Sequence, residues 1–210
     1  MIDFIDFGCG TGGSINWVKT RFGGETHLGL TNREHEVETA IKNGYNVKLQ
    51  DITNDDVELP KCRYVSMLHF LEHLKDEQTV EKVISKAINL ASEFVFIKVP
   101  YFDQIEYLKN LGLRLTWTNW IGHPTAVTSE MLKNITDKFS KQAKIGFLYP
   151  IIDSDSNEII PISSPVDTVL YDVKLEQKKH IELINVYRET YCFININCEK
   201  FEEIIKTNIL

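Results

Sequence analysis

The chain has 210 residues and a formal charge of −7. That length supplies one ordinary domain with a sizeable core, hiding about 70% of the unfolded chain's surface. Its 23 lysines and arginines are scattered rather than gathered into a stripe, which argues against a nucleic-acid partner. The four cysteines, Cys9, Cys62, Cys192 and Cys198, lack close-pair metal spacing and suit free thiols in a reducing compartment. Asp3 and Asp6 stand where a signal peptide would be basic, and no stretch approaches a membrane span. A soluble, cytoplasmic chain without a membrane partner is expected.

An apolar run, Ile2–Phe7, predicts a first strand, and a helix-like segment, Ile15 to Arg21, follows it. Between them lies Asp6-Phe7-Gly8-Cys9-Gly10-Thr11-Gly12-Gly13, whose alternating glycines allow a tight turn and close approach to a ligand. Glu25–Leu30 reads as a second strand. A helix from Arg33 to Asn43, with Val37, Ala40 and Ile41 on one face, ends at Gly44. Asn46–Leu49 is a short third strand leading to Asp51, and Arg63–Leu68 a fourth. Thr79–Leu90 is an amphipathic helix carrying Val80, Val83, Ile84, Ala87 and Ile88, and Glu93–Val99 is a fifth strand closed by Pro100. This rhythm predicts a mostly parallel sheet with helices on both faces.

Beyond Pro100 the pattern changes. Tyr101–Lys109 reads as helix, Leu113–Asn119 as extended, and Ser129–Phe139 as a helix capped by Thr128 or Ser129. Gln142–Tyr149 and Val166–Glu176 read as strands, another lies within Lys179–Ile194, and Phe201–Ile209 as a closing helix. Asp153-Ser154-Asp155-Ser156-Asn157 reads as a polar turn. The late strands are expected to be antiparallel and to finish the same sheet. Residues 1–210 are expected to form one domain, with 101–128 and 150–165 as elaborations of a substrate pocket.

The Asp6–Gly12 run resembles the Asp/Glu-x-Gly-x-Gly-x-Gly loop of class I S-adenosylmethionine-dependent methyltransferases, within a branch carrying a Leu-Glu-His segment, here Leu71-Glu72-His73. A dinucleotide loop instead prefers Gly-x-Gly-x-x-Gly, suited to a pyrophosphate at a helix terminus. The resemblance implies a Rossmann-like α/β fold and S-adenosylmethionine as cofactor, with S-adenosylhomocysteine as product. It implies cofactor contacts from Gly8, Cys9, Gly10, Thr11 and Gly12, with Asp6 orienting the cofactor's amino group. Thr31 stands where the family usually has an acidic residue for the ribose hydroxyls. A neutral hydroxyl cannot act as a charged bidentate acceptor, Asn32 could make the second bond, and a strand-end cap is the other use for Thr31. Asp51 resembles the residue that accepts the adenine amino proton, with Ile52 against the base; the alternative is a solvated turn. Met67 and Leu68 would wall the sulfonium region.

His69 would line the substrate opening, whereas Glu72 and His73 read as local structural residues. His123, in Trp120-Ile121-Gly122-His123-Pro124, is the favoured candidate for a base or substrate contact, with turn stabilisation as the alternative. Tyr101, Asp103, Trp117 and Trp120 could shape the acceptor pocket. Asp153 and Asp155 lack calcium-loop spacing, and His27, His35 and His180 make no zinc pattern with the cysteines, so a mechanism without metal is expected. The chain enters its first strand at Ile2, which shifts specificity to the segments after Pro100. The resulting expectation is methyl transfer to a small-molecule hydroxyl of a sugar, nucleotide-linked intermediate or other metabolite by a monomer or homodimer. The alternatives are action on RNA or protein, or a noncatalytic cofactor-binding partner.

Overall fold

A computed structural model describes residues 2–172, 174 and 177–208. The first half alternates strand and helix: β1 Ile2–Phe7, α1 Gly13–Phe22, β2 His27–Thr31, α2 Glu34–Lys42, β3 Val47–Leu49, β4 Cys62–Leu68, α3 Glu77–Leu90 and β5 Ala91–Pro100. There follow α4 Ile105–Asn110, β6 Leu113–Leu115, α5 Ser129–Lys138, β7 Ala143–Pro150, β8 Ile159–Pro161, β9 Tyr187–Asn195 and α6 Phe201–Asn208. The main sheet runs β3-β2-β1-β4-β5-β9-β7. Its first five strands pair in parallel, and β9 is antiparallel to both β5 and β7. The mostly parallel sheet expected from the strand–helix rhythm, and the Rossmann-like α/β fold that the resemblance implies, are the architecture observed. Among the described residues, no helix is long and apolar enough to cross a membrane.

Strand alternation divides the core. Ile5 and Phe7 of β1, Val65 and Met67 of β4, and Val95, Ile97 and Val99 of β5 meet α3 and α5 on one face. Phe4, Tyr64, Leu68, Phe94, Phe96 and Phe193 point to the other, where α1 and α6 lie. That second face is a ladder of rings: Phe4 stacks on Tyr64 at 5.2 Å and Tyr64 on Phe94 at 4.8 Å. Burying each such ring contributes on the order of 2–3 kcal/mol. Helix ends are set by side chains. Asp76 caps α3 by accepting from Thr79 N at 2.8 Å, and Thr128, not Ser129, caps α5 by accepting from Met131 N.

Several expected elements differ. On α2, which packs against β2 and β3, Ala40 is buried but Ile41 is 56% exposed. The helix expected from Tyr101 begins at Ile105, since Tyr101 N still bonds Arg188 O at 3.0 Å and prolongs the extended chain of β5. Extension after Leu113 stops at Leu115. Thr116–Asn119 then forms a 3-10 turn, its Thr118 hydroxyl donating to Leu115 O. The strand expected over Val166–Glu176 does not form in the described part of that run. Asp167 has φ 66° and Thr168 N closes a turn on Pro165 O, while Val173, Leu175 and Glu176 lie outside the described residues. The end of the closing helix at Ile209 lies outside them too. Not every late strand completes the main sheet: β8 instead pairs antiparallel with β6 in a separate two-stranded sheet. A third core of Tyr101, Leu108, Leu115, Ile159, Leu183 and Val186 supports it.

Asp6 fastens the centre of this arrangement. Its carboxylate is wholly buried and accepts from Ser66 Oγ of β4 at 2.6 Å and from Ser14 Oγ of α1. Burial raises its pKa from 3.8 to about 6, against the opposing pull of the two hydroxyls. A carboxyl with a raised folded-state pKa contributes stability that is complete below pH ~4 and is lost as pH rises through about 6. At ~1.4 kcal/mol per unit, the loss is at most about 3 kcal/mol. In urea denaturation, Asp6→Asn should gain on the wild type by up to that amount between pH 4 and 7. A stability difference that does not change with pH would contradict this.

Candidate cofactor and acceptor site

One cleft of about 1130 Å³ opens at the carboxyl ends of β1 to β4, at the switch point where β1 and β4 lie side by side and their following segments leave in different directions. Gly8 and Gly10 line it from the loop after β1, Thr31 and Asn32 from the end of β2, and Asp51 and Ile52 from the segment after β3. His69, Phe70 and His73 contribute from beyond β4, and Trp120, Ile121, Gly122 and Pro124 from the segment packed against His73. The glycine loop is pinned to β2 because Gly8 N and Cys9 N both donate to Leu30 O, at 2.9 and 3.0 Å. Gly8 has φ 74°, and a Cβ there would lie 2.3 Å from the Phe70 ring. Gly12 has φ 98°, and a Cβ would lie 2.2 Å from Tyr45. Both positions need glycine for conformation and for space.

The remaining loop residues do something else. Cys9 is buried in the second core with its thiol pushed up to about 12 by burial and by the nearby Asp6 and Glu36 charges. Thr11, whose backbone carbonyl accepts from Asn43 Nδ2, and Gly12 do not line the cleft. Asp6 sits beneath the loop, bonded to the two serine hydroxyls. Met67 and Leu68 also stay out of the cleft: alternation along β4 sends Met67 into the first core and Leu68 into the second. The next residue, His69, turns out of the strand with φ 50° and reaches the cleft.

At the end of β2 the structure adds a carboxylate that the sequence reading missed. Thr31 Oγ1 donates to Glu36 Oε2 at 2.5 Å, and Arg33 Nη1 pairs with Glu36 Oε1 at 3.2 Å. Glu36 lines the cleft from the first turn of α2. This cleft-lining carboxylate stands five residues beyond the strand end, and an acidic residue in the first turn of α2 was the only signal for it. At Asp51, Oδ1 accepts from Thr53 N and Thr53 Oγ1 at 2.9 and 2.7 Å. This Asx turn orients the carboxylate beside Ile52, whose side chain is nearly all buried.

His69 Nε2 donates to Glu189 Oε1 at 2.9 Å, and Lys98 Nζ lies 3.0 Å from the same oxygen. Burial, the largest single influence, would depress the His69 pKa; the hydrogen bond to Glu189 and the charge of Glu72, 3.6 Å away, outweigh it and raise the pKa to about 9. His69 is therefore a cation at neutral pH rather than a free base. His123 goes the other way: burial lowers its pKa, and its Nδ1 lies 3.1 Å from Trp117 O. A carbonyl only accepts, so Nδ1 carries the proton and Nε2 the lone pair. His73 has the same arrangement, Nδ1 donating to Gly122 O at 2.6 Å. The two imidazoles stand 4.9 Å apart, with Trp120 4.5 Å from His123.

Glu72 lies behind them, fully buried, with neither carboxylate oxygen hydrogen-bonded. One donor atom each from Glu72, His73 and His123 falls within 4.8 Å of the others. Thr125 ties the two segments together, donating to Leu74 O at 2.6 Å and to Glu72 O at 3.4 Å. Of the four residues expected to shape an acceptor pocket, Trp120 does line the cleft. Tyr101 is core, Asp103 accepts from Ser129 at the start of α5, and Trp117 Nε1 bonds Tyr101 O. No described residue of 150–165 lines it. Asp153 and Asp155 form a turn, with His180 on Asp155 at 2.8 Å.

No family model matches this sequence, and no curated protein does. Solved structures do match in fold. An S-adenosylmethionine-dependent methyltransferase from Archaeoglobus fulgidus is 17% identical with a TM-score of 0.63, over 92% of this chain and 86% of that one. A possible histamine N-methyltransferase from Thermotoga maritima is 14% identical with a TM-score of 0.56, over 94% and 83%. Magnesium protoporphyrin IX methyltransferase from Synechocystis, solved with bound S-adenosylmethionine, is 13% identical with a TM-score of 0.54, over 92% and 70%. With the strand order and the cleft at its switch point, these likenesses give the chain the class I S-adenosylmethionine-dependent methyltransferase fold.

Proposed function

We propose that this protein is an enzyme that transfers a methyl group from S-adenosylmethionine to a small-molecule acceptor, preferably at a hydroxyl, and releases S-adenosylhomocysteine. The observation that carries the reading is the single cleft that gathers Gly8 and Gly10, the Thr31–Glu36 pair, Asp51 and Ile52. These supply close backbone approach for the methionine part, a charged acceptor for a ribose diol, and a carboxylate beside an apolar surface for adenine. Glu36 takes up the role that Thr31 alone cannot fill. The cleft's volume exceeds that of a typical single-ligand pocket, leaving space for a modest acceptor beside Trp120 and His73.

The reaction is an in-line displacement. The acceptor oxygen forms a bond to the methyl carbon while the carbon–sulfur bond breaks, its electron pair returns to sulfur, and the acceptor proton departs. Positioning provides much of the acceleration. His69 is unsuited to take the proton because it already holds one at neutral pH. His123 does not itself line the cleft; neutral and with Nε2 unprotonated, it stands 4.9 Å behind the cleft-lining His73 and would assist proton loss from there.

Calorimetry should detect one S-adenosylhomocysteine per chain, with affinity lowered ~10-fold or more in Glu36→Gln, because a hydrogen bond to a charged group is lost. Thr31→Val should cost less, and the double variant less than the sum, since the two residues act as one acceptor. Unchanged affinity in Glu36→Gln removes the ribose assignment. Nitrogen-15 NMR should show the His69 ring doubly protonated at pH 7.5 and losing its proton near 9, with His123 neutral at that pH; a His69 transition near 6.5 would restore it as a base. Incubation with methyl-labelled S-adenosylmethionine and a metabolite extract should label a small molecule. Label found only in RNA or protein would overturn the acceptor class, and absence of label with bound cofactor would favour a noncatalytic partner.

A further inference from the structure

A fully buried carboxylate with no hydrogen bond is costly, by several kcal/mol in general, and native structures rarely leave one without a partner. Glu72 is such a group: it is 0% exposed and both oxygens lack a hydrogen bond. The nearest cation, His69 Nδ1, stands 3.6 Å from Oε1, beyond hydrogen-bond reach, and is committed through Nε2 to Glu189. The other neighbours are His73 and His123. Each has its Nδ1 proton fixed on a backbone carbonyl, Gly122 O and Trp117 O respectively. Metal-binding histidines are oriented in this way, with one nitrogen donating to a carbonyl and the other free to ligate.

We propose that Glu72, His73 and His123 form a binding site for one divalent transition-metal ion at the acceptor side of the cleft. Two imidazoles and one carboxylate are a borderline N/O donor set, suited to Zn²⁺, Fe²⁺ or Co²⁺ better than to Mg²⁺ or Ca²⁺. Three protein ligands leave open positions for water or substrate, and His73 itself lines the cleft. The donor atoms lie within 4.8 Å of one another, whereas tetrahedral ligands at ~2.1 Å from an ion stand ~3.4 Å apart. Small side-chain rotations toward a common centre close that difference. Thr125 already clamps the His123 loop onto the Leu71–His73 turn. Linear spacing could not show this site, because His123 is fifty positions beyond His73.

Metal binding stands independently of methyl transfer; the role given to the ion rests on the reaction proposed above. There it would polarise the acceptor hydroxyl so that its proton passes to solvent as the oxygen takes the methyl group, while the sulfonium electron pair returns to sulfur. His123 would then act by holding the ion, not by taking the proton.

Chelator-treated, dialysed full-length protein titrated with Co²⁺, followed by calorimetry and by the visible absorption of the bound ion, should take up one equivalent. Glu72→Gln and His123→Ala should each weaken uptake ~10-fold or more. His73→Ala, at an exposed position, gives a third reading should the change at buried Glu72 or half-buried His123 unfold the chain, and His180→Ala, on the exposed surface outside the cleft, should change nothing. S-adenosylhomocysteine affinity in Glu72→Gln should match the wild type, so loss of metal uptake is distinguishable from failure of the cofactor assignment. No Co²⁺ uptake by the folded wild type would overturn the proposal, as would equal uptake by the wild type and all three site variants.

Discussion

The site depends on the boundary between β1 and β4 and on the buried Asp6 that fastens it. Asp6 and Ser66 are register partners across the two strands, and Ser14 brings the first turn of α1 onto the same carboxylate. With those three elements joined, the loop between Gly8 and Gly12 has a fixed path, and glycines at Gly8 and Gly12 let it run against Phe70 and Tyr45. The cleft exists because segments leave β1 and β4 on different courses. Asp6 therefore supports the cofactor loop from beneath, as part of the scaffold.

Electrostatics divide the cleft into two regions with different chemistry. On the β2–β3 side, Glu36 and Asp51 are carboxylates held in orientation by Thr31, Arg33 and Thr53, which suits the hydroxyl and amino donors of a nucleoside. On the β4 side, His69, Lys98, Glu189 and Glu72 pack close together. His69 and Lys98 share Glu189, so that Glu72 is left with incomplete compensation. His73 and His123 face that deficit. A cation bound there would complete the balance of charge as well as provide chemistry.

Much of the scaffold was legible because parallel, buried strands read as apolar runs and α3 carries a clean apolar face. That Gly8, Gly10, Asp51 and Ile52 face one cleft was legible because they follow strand ends at short distances along the chain. Other parts depend on three-dimensional facts. Met67 and Leu68 read as cleft walls, yet strand alternation buries both, and only the left-handed turn at His69 brings β4 to the ligand side. Glu36 was hidden because a helix turn, not adjacency, carries it back to Thr31. The short strands β6 and β8 hold three residues each, too few to show a period. Glu72 and His73 read as local braces; His73 does brace Gly122, and the same bond leaves its other nitrogen free.

A crystal structure of the protein with S-adenosylhomocysteine tests the central claim most directly. We expect the ribose hydroxyls on Glu36 and Thr31, adenine between Asp51 and Ile52, and the sulfur end passing Gly8 and Gly10 toward His73 and Trp120. A cofactor bound elsewhere, or in this cleft with its ribose away from Glu36, would contradict the account.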